Sequence, residues 1–423
     1  MNAPVPSVAA AGPAADSWFA DYRADDYLFV SPTASVHGRD AAFTLAPGAD
    51  TLWQGAAALL AEATASGMAA PVLIGAIPFD VSRPARLVIP RQSRHDGPLD
   101  RRSMAGTMGA SRVLAPRTMT SVPPEAGYEA AVTDALARFA TGELDKVVLA
   151  RTLEITLDAP PDRPALMRRL LQRNPHGFTF AIPLEDSSIN IETPAAFLGA
   201  SPELLLRRQG RRVILNPLAG SAARQADPLA DRAAADALLA SAKDRHEHAI
   251  VIDSIAAALR PYCSQLRLPD GPTLTSTDAL WHLSTWIEAE LDDPAVSALE
   301  LALALHPTPA VCGHPTATAF AAIHDLEPFD RGFFAGLVGW CDAQGDGEWA
   351  VSLRCAESRG ASLRLYAGAG VVPDSEPAHE LAETGVKFRT MLAALGLMTT
   401  DQAATVSVPA AKQASAQSPT MTS

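Results

Sequence analysis

The chain has 423 residues, 48% of them apolar and 19% charged, a balance that supports a large buried core. Its net charge of −13 excludes the basic footprint of a nucleic-acid binder, and no apolar run reaches the roughly 18 residues of a membrane span. Four cysteines, Cys263, Cys312, Cys341 and Cys355, form no CxxC pair, so a zinc framework and a redox dithiol are excluded and free thiols in a reducing cytoplasm are expected.

The N-terminus, MNAPVPSVAAAGPAADSW, has no basic start and no sustained hydrophobic stretch, so it does not read as a signal peptide. Residues 1–16 are Ala/Pro-rich and are expected to be disordered, as is the polar, low-complexity tail 399–423. Between them, residues 17–398 read as one catalytic domain. DYLFVS and PVLIGAIPF read as strands. YEAAVTDALARFAT has helical period and ends near Gly142. DKVVLARTLEITL is β-branched with twofold alternation, and FTFAIPL and AFLGAS continue the strand-like character. ELLLRRQGRRVILNPLAG reads as a hairpin turning near Gln209 and Gly210. Residues 228–263 form a long Ala-rich helical stretch with room for one break. GFFAGLVGWC, WAVSLRCAES and SLRLYAGAGVV read as strands, and PAHELAETGVKFRTMLAALG as an amphipathic helix closed by Gly396. Strand-rich blocks alternate with helix-rich blocks without a regular βαβ beat, so the class is α+β.

Several charged residues stand where a plain solvated surface does not require them. In SAKDRHEHAI, Asp244 and Glu247 lie at i and i+3 on one helix face. His246 and His248 are two apart, the wrong spacing for a zinc pair on a helix. Two carboxylates suit a hard cation such as Mg²⁺; a solvated charged face reads equally from the spacing. The last helix repeats the arrangement with Glu380 and Glu383, although Glu383 can instead pair with Lys387 at i+4. Facing one another, the two helices make an oxygen-only site with open positions. Glu203, in GASPELLL, stands at the mouth of an apolar strand, as a general acid of raised pKa or as a strand-end carboxylate in water. Lys146, in LDKVVLAR, opens an apolar strand, as a desolvated base or as a lysine reaching the surface. Arg354 lies within the apparent strand WAVSLRCAES, with a substrate carboxylate or an internal acid as its partner. The glycines of YAGAGVV let a backbone approach a ligand closely.

In order, the segments IGAIPFD, LDKVVLAR, GASPELLL, PLAGSAAR, SAKDRHEHAIV, LWHLST, LHPTPAVCGHPT, DRGFFAGLVGW, WAVSLRC, YAGAGVV and ELAETGVKF resemble the chorismate-utilising enzymes, over about residues 74–388. Within that family the chain is most similar to isochorismate synthases, especially the stand-alone type of siderophore pathways. The resemblance implies the anthranilate-synthase component I fold, with two stacked β-sheet regions, outer helices and the site between them. It implies an isomerase: water attacks C2 of Mg²⁺-bound chorismate, the C4 hydroxyl leaves, and isochorismate forms reversibly. Glu247 and Glu383 match the Mg²⁺ ligands, and Asp244 and Glu380 the acidic neighbours that hold metal-bound water. Lys146 matches the base that activates water, a residue absent from the ammonia-using anthranilate and aminodeoxychorismate synthases. Glu203 matches the acid that protonates the leaving hydroxyl.

Arg354 with Gly368 and Gly370 matches the region gripping the substrate carboxylate, and His282, Ala310 and Phe334 match pocket-lining positions. Ser221 stands where many relatives have Thr. The resemblance further implies a cytoplasmic monomer acting on chorismate as a small-molecule substrate, without nucleic acid or membrane, beside a downstream isochorismate-using enzyme. A salicylate synthase and a menaquinone-pathway synthase are the alternatives within the family; a non-catalytic chorismate binder would be expected to lack Lys146, Glu203 or a metal carboxylate.

Overall fold

The structure, a computed structural model, describes residues 13–46, 51–100, 114–185 and 194–397. Most of the expected N-terminal segment and all of the tail lie outside them. Ala14, however, bridges to Asp100, and Ala15–Trp18 is a short helix whose Trp18 is buried, so order begins before residue 17.

Among the described residues one sheet of seventeen strands and one of three are formed. Sixteen of the seventeen follow a single antiparallel path. It runs from Cys263–Arg267 through Ile287–Leu291, Arg212–Asn216, Leu204–Gln209, Gly347–Val351, Leu337–Asp342, Val72–Ile77 and Arg86–Asp96 to Ser35–Thr44. It then returns through Tyr27–Val30, Phe178–Pro183, Ala196–Ser201, Cys355–Arg359, Ser362–Val371 and Lys146–Leu157 to Pro116–Val122. Gly313–His314 adds a bridge at the start of Lys146–Leu157. The two expected sheet regions are thus two arms of one continuous ladder.

The path bends back because its side chains demand it. Val213, Ile287, Leu337 and Trp349 from the first arm share one buried cluster with Phe180, Phe197, Leu149 and Tyr366 from the second. The second arm is apolar on both faces, by alternation along each strand. Phe29, Phe180 and Phe197 point into this inner core. Their neighbours Leu28, Ala181 and Leu198 point into an outer core closed by helices Arg163–Arg173 and Pro377–Leu395. Each large aliphatic side chain buried there contributes roughly 1.5–3 kcal/mol.

Local signals fix the elements near the site. The Ala-rich stretch breaks at Ser241, which ends helix Pro228–Ala240 and caps helix Ala242–Leu259 by accepting from the Asp244 N–H. Helix Pro377–Leu395 has Pro377 in its first turn and ends on Gly396 in the left-handed region, as its sequence predicts. The hairpin turns at Gly210, φ 59°, between Leu204–Gln209 and Arg212–Asn216.

Two expectations need correction. The LAG segment leaves the hairpin and forms strand Leu218–Ala223 of the small sheet, paired with Leu280–Ser284, which pairs in turn with Thr273–Ser276. WAVSLRCAES is two strands, Gly347–Val351 and Cys355–Arg359. Arg354 therefore lies in the break between them, at φ 49°, rather than within a strand.

Candidate active site

The predicted residues converge where the two helix starts meet the second arm and the small sheet. A cavity there is lined by both acidic pairs, Asp244 with Glu247 and Glu380 with Glu383. On other walls lie Glu203 and Arg354, then Ser221 and His282 from the small sheet, then Ala310 and Phe334, and finally Gly368 and Gly370. Of the thirteen residues singled out from sequence, Lys146 alone does not line the cavity. It is fully buried behind Glu247, its Nζ 2.8 Å from Oε1 in an ion pair whose angles are poor for a hydrogen bond.

This arrangement rests on one glycine. Gly370 pairs with Val148 in the ladder, and a Cβ there would lie 2.4 Å from Glu247 Oε1 and 3.3 Å from Lys146 Cε. The small residues of YAGAGVV therefore admit the chain's own Glu247 beside Lys146. On the other side of the helix start Gly220, φ 79°, brings the small sheet against Asp244, which a Cβ would meet at 3.0 Å.

Each carboxylate pair is held in place by a neighbouring element. Glu380 is 3% exposed and meets Lys243 Nζ at 3.3 Å. Burial, then the charge of Glu383, pushes its carboxyl up to about 7. Glu383 is also raised by burial, but Lys387 at 2.6 Å and a hydrogen bond from Ser221 outweigh that and leave it below the ordinary value. The i+4 pairing anticipated for Glu383 thus forms within the site rather than instead of it. Lys387 also donates to the Gly368 carbonyl at 2.7 Å, binding the last helix to the glycine strand. Asp244 is raised by burial and accepts from the Ser241 hydroxyl at the helix cap.

The other wall supplies an acid and a cation. Glu203, 3% exposed, follows the end of strand Ala196–Ser201. Burial pushes it up to about 7, against the pull of the Leu218 N–H 3.4 Å away and the charges of Lys146, Arg354 and Lys387. It is therefore substantially protonated near neutrality, poised to give a proton. Arg354 is 7% exposed and has no ion pair or side-chain hydrogen bond among the described residues. Burial draws its pKa down to about 10. A non-glycine residue at φ 49° is strained, and the break lets the guanidinium leave the strand for the cavity. His282 faces Ser221 across the small sheet, and burial holds it well below its ordinary pKa. Its neutral ring bonds the Gly220 backbone and leaves Nε2 without a hydrogen-bond partner. Phe334 stacks on Tyr366, 9° from parallel at 5.2 Å, giving the cavity one flat apolar wall.

The donors around the acidic pairs are all oxygen, which suits Mg²⁺ or a similar hard cation. Among the described residues no group of three or more acidic, histidine or cysteine side chains is gathered into a formed metal centre. A lysine meets each of three carboxylates instead: Lys146 at Glu247, Lys243 at Glu380 and Lys387 at Glu383. Lys243 escaped the sequence reading because its partner lies 137 positions away. So did Tyr366 and Leu353, apolar wall residues with no charge or spacing to mark them.

Residues 103–396 match the model of a protein family described as chorismate binding enzyme. The chain belongs to that family. It is 51% identical to the isochorismate synthase DhbC of Bacillus subtilis (strain 168) over 352 residues, 82% of this chain and 86% of that one. A crystal structure described as a putative 2,3-dihydroxybenzoate-specific isochorismate synthase, DhbC, from Bacillus anthracis superposes with a TM-score of 0.84. It shares 43% identity and covers 90% of this chain and 99% of its own. Anthranilate synthase component I of Streptococcus pneumoniae, 18% identical with a TM-score of 0.67, shares the fold; 85% of this chain and 92% of that one are covered. The fold expected from the sequence is the fold observed.

Proposed function

We propose that the chain is an isochorismate synthase of the siderophore-pathway type, isomerising chorismate to isochorismate. The observation that carries this reading is one cavity with a proton donor, Glu203, on one wall and a buried lysine–carboxylate pair, Lys146 with Glu247, behind another. Relatives bearing that activity, at 51% identity over most of both chains, support it.

The reaction has two demands. Water must lose a proton as it attacks C2, and the C4 hydroxyl must gain one as it departs with the shifting double bonds. Glu203, protonated near neutrality, serves the second. Lys146 is assigned the first, acting as the free amine; it lies behind Glu247, 2.8 Å from Oε1, and that carboxylate is the group beside it that lines the cavity. Arg354 is a buried cation without an ion-pair partner among the described residues and attracts a substrate carboxylate, and the Gly368–Gly370 backbone lines the same cavity. Phe334 and Ala310 bound the apolar side of the ring, with Ser221 and the neutral His282 opposite as polar contacts.

Glu247 and Glu383 are the side chains suited to hold Mg²⁺, with Asp244 and Glu380 orienting water around it. Burial, then the charge of Glu383, raises Glu380, and a divalent cation held by these carboxylates would offset that charge. Bound there, Mg²⁺ supplies a positive charge that anchors the substrate carboxylate and offsets negative charge. No helix among the described residues is long and apolar enough to cross a membrane, and the four cysteines are free and buried. The free thiols suit a reducing cytoplasm, and a cytoplasmic monomer is the form we propose.

The purified protein is incubated with chorismate, with and without Mg²⁺, and products are resolved by chromatography and mass. A Mg²⁺-dependent isomer of unchanged mass is expected. Salicylate with pyruvate would move the chain to the salicylate synthases, and bound but unchanged chorismate would make it a non-catalytic binder.

A further inference from the structure

Strand Lys146–Leu157 has one complete neighbour and one broken edge. Ser362–Val371 pairs with it from Thr156 to Val147. On the other edge Pro116–Val122 reaches only Thr152, and Gly313–His314 covers only Lys146 and Val147. Residues 148–151 have no partner strand there among the described residues, and of their backbone groups on this edge the Val148 N–H alone is met by backbone, donating to the Cys312 carbonyl at 2.8 Å. This gap begins beside Lys146 and runs opposite Gly368 and Gly370.

A buried ion pair fills the gap. Glu327 accepts the Ala150 N–H at 2.7 Å, and Arg331 donates to the Val148 carbonyl at 2.7 Å. Arg331 and Glu327 bond each other through two guanidinium nitrogens, with Nε to Oε2 at 2.8 Å. The same guanidinium donates to the Val311 carbonyl at 2.8 Å and lies over the rings of Phe79 and Phe334, 4.5 and 5.7 Å from their centroids. Both residues are buried, and neither lines the cavity. What they touch does line it: Val148, Val311 and Phe334 are all cavity walls. A lone backbone pairing would fix the strand, but only a planar group with this many donors can tie strand, loop and ring together.

We infer that Arg331 and Glu327 are positioning residues for the reaction: they fix the Lys146 end of its strand against the Val311 and Phe334 walls. A buried pair is a poor source of net stability, since desolvation offsets its attraction. What it supplies here is a tie from the strand edge to the Val311 and Phe334 walls at the place where the ladder is open.

The inference rests on the isochorismate-synthase reading, so wild-type turnover of chorismate is measured first; its absence would count against that reading alone. The variants are Arg331→Lys, which keeps the charge but loses the fork, Arg331→Ala, and Glu327→Gln, which keeps an acceptor for Ala150. Folding is followed by circular dichroism. In folded protein kcat is expected to fall about 10- to 100-fold in both arginine variants, with KM for chorismate changed much less, and Glu327→Gln is expected to retain most activity. Millimolar guanidinium ion should restore part of kcat in Arg331→Ala, saturably, and none in Arg331→Lys, whose side chain fills the site. Folded arginine variants with wild-type kcat would overturn the assignment. So would a loss of kcat that only tracks the loss of folded protein and does not respond to guanidinium.

Discussion

Glu203 carries the sharpest consequence at the scale of a single residue. Its carboxyl sits near 7 because burial outweighs three nearby cations. Glu203→Gln removes the proton donor while keeping shape, so kcat should fall by roughly 10²–10⁴ while chorismate still binds; steady-state rates beside calorimetric binding test this, and a wild-type rate would end the general-acid role. The same group links stability to pH. Its folded value, about 7, lies above the ordinary 4.5, so the folded state binds more protons between those limits. Stability is full below 4.5 and is lost as pH rises through 7, by roughly 3 kcal/mol from this residue. Thermal unfolding from pH 5 to 8 should show a shallower decline in Glu203→Gln than in the parent; identical slopes would show that Glu203 is not held protonated. Lys146→Ala should lose turnover with the fold intact, and substantial residual activity would remove Lys146 as the base. Both residues stood out because each lies at one end of an apolar strand, but position alone left a surface-reaching lysine and a strand-end carboxylate open, and their proposed roles came from the family resemblance. The position of Lys146 behind Glu247 was not legible, since it depends on Gly370 in a strand more than 200 residues away.

Helices and strands explain how the charges meet. Ser241 ends one helix and caps the next, and its cap aims Asp244 and Glu247 at the last helix. Ser241→Ala should cost about 1 kcal/mol of stability, read as a shift in the unfolding midpoint. Gly370→Ala is expected to do more damage to activity than to folding. Its methyl would have to displace the Glu247 carboxylate from Lys146, while the strand around it keeps its ladder. Turnover should drop by about tenfold or more, with the far-ultraviolet spectrum unchanged; unchanged kinetics would mean that the Glu247–Lys146 contact is dispensable. The stop at Gly396 was readable in the sequence, and one break in the Ala-rich stretch was anticipated without its position, which the structure puts at Ser241. Arg354 was misread as lying inside a strand because its neighbours are apolar on both sides; the positive φ that breaks the strand leaves no local mark. Helices Leu52–Ala65, Arg163–Arg173, Ala298–Leu305 and Thr316–Leu326 were not anticipated; the first and last have no side-chain cap, whereas Asp162 and Ser297 cap the other two.

Across the whole molecule, one antiparallel path bends back on itself, and the site forms where its second arm meets the small sheet and two helix starts. Lysines hold the acidic pairs, at Glu247, Glu380 and Glu383, so like charges are tolerated at close range. A divalent cation that binds only the folded state should stabilise it by about 2.7 kcal/mol at a hundred times its Kd, read as a rise in the unfolding temperature. Glu383→Ala should abolish that shift, and an equal shift in both proteins would place the cation elsewhere. The family and its fold could be read from eleven short segments in order, because all but IGAIPFD hold residues that line the cavity. The continuity of the sheet and the lysine pairs depend on contacts far apart in sequence, and no local pattern encodes them. The central claim is that this cavity adds water at C2 and expels the C4 hydroxyl. The direct measurement is turnover of chorismate in ¹⁸O-labelled water with Mg²⁺, stopped early, with the product fragmented to locate the label. The account predicts isochorismate carrying one labelled oxygen, in the C2 hydroxyl. Unlabelled isochorismate would contradict it, because the hydroxyl would then have moved within the substrate without the water that Lys146 is held to activate.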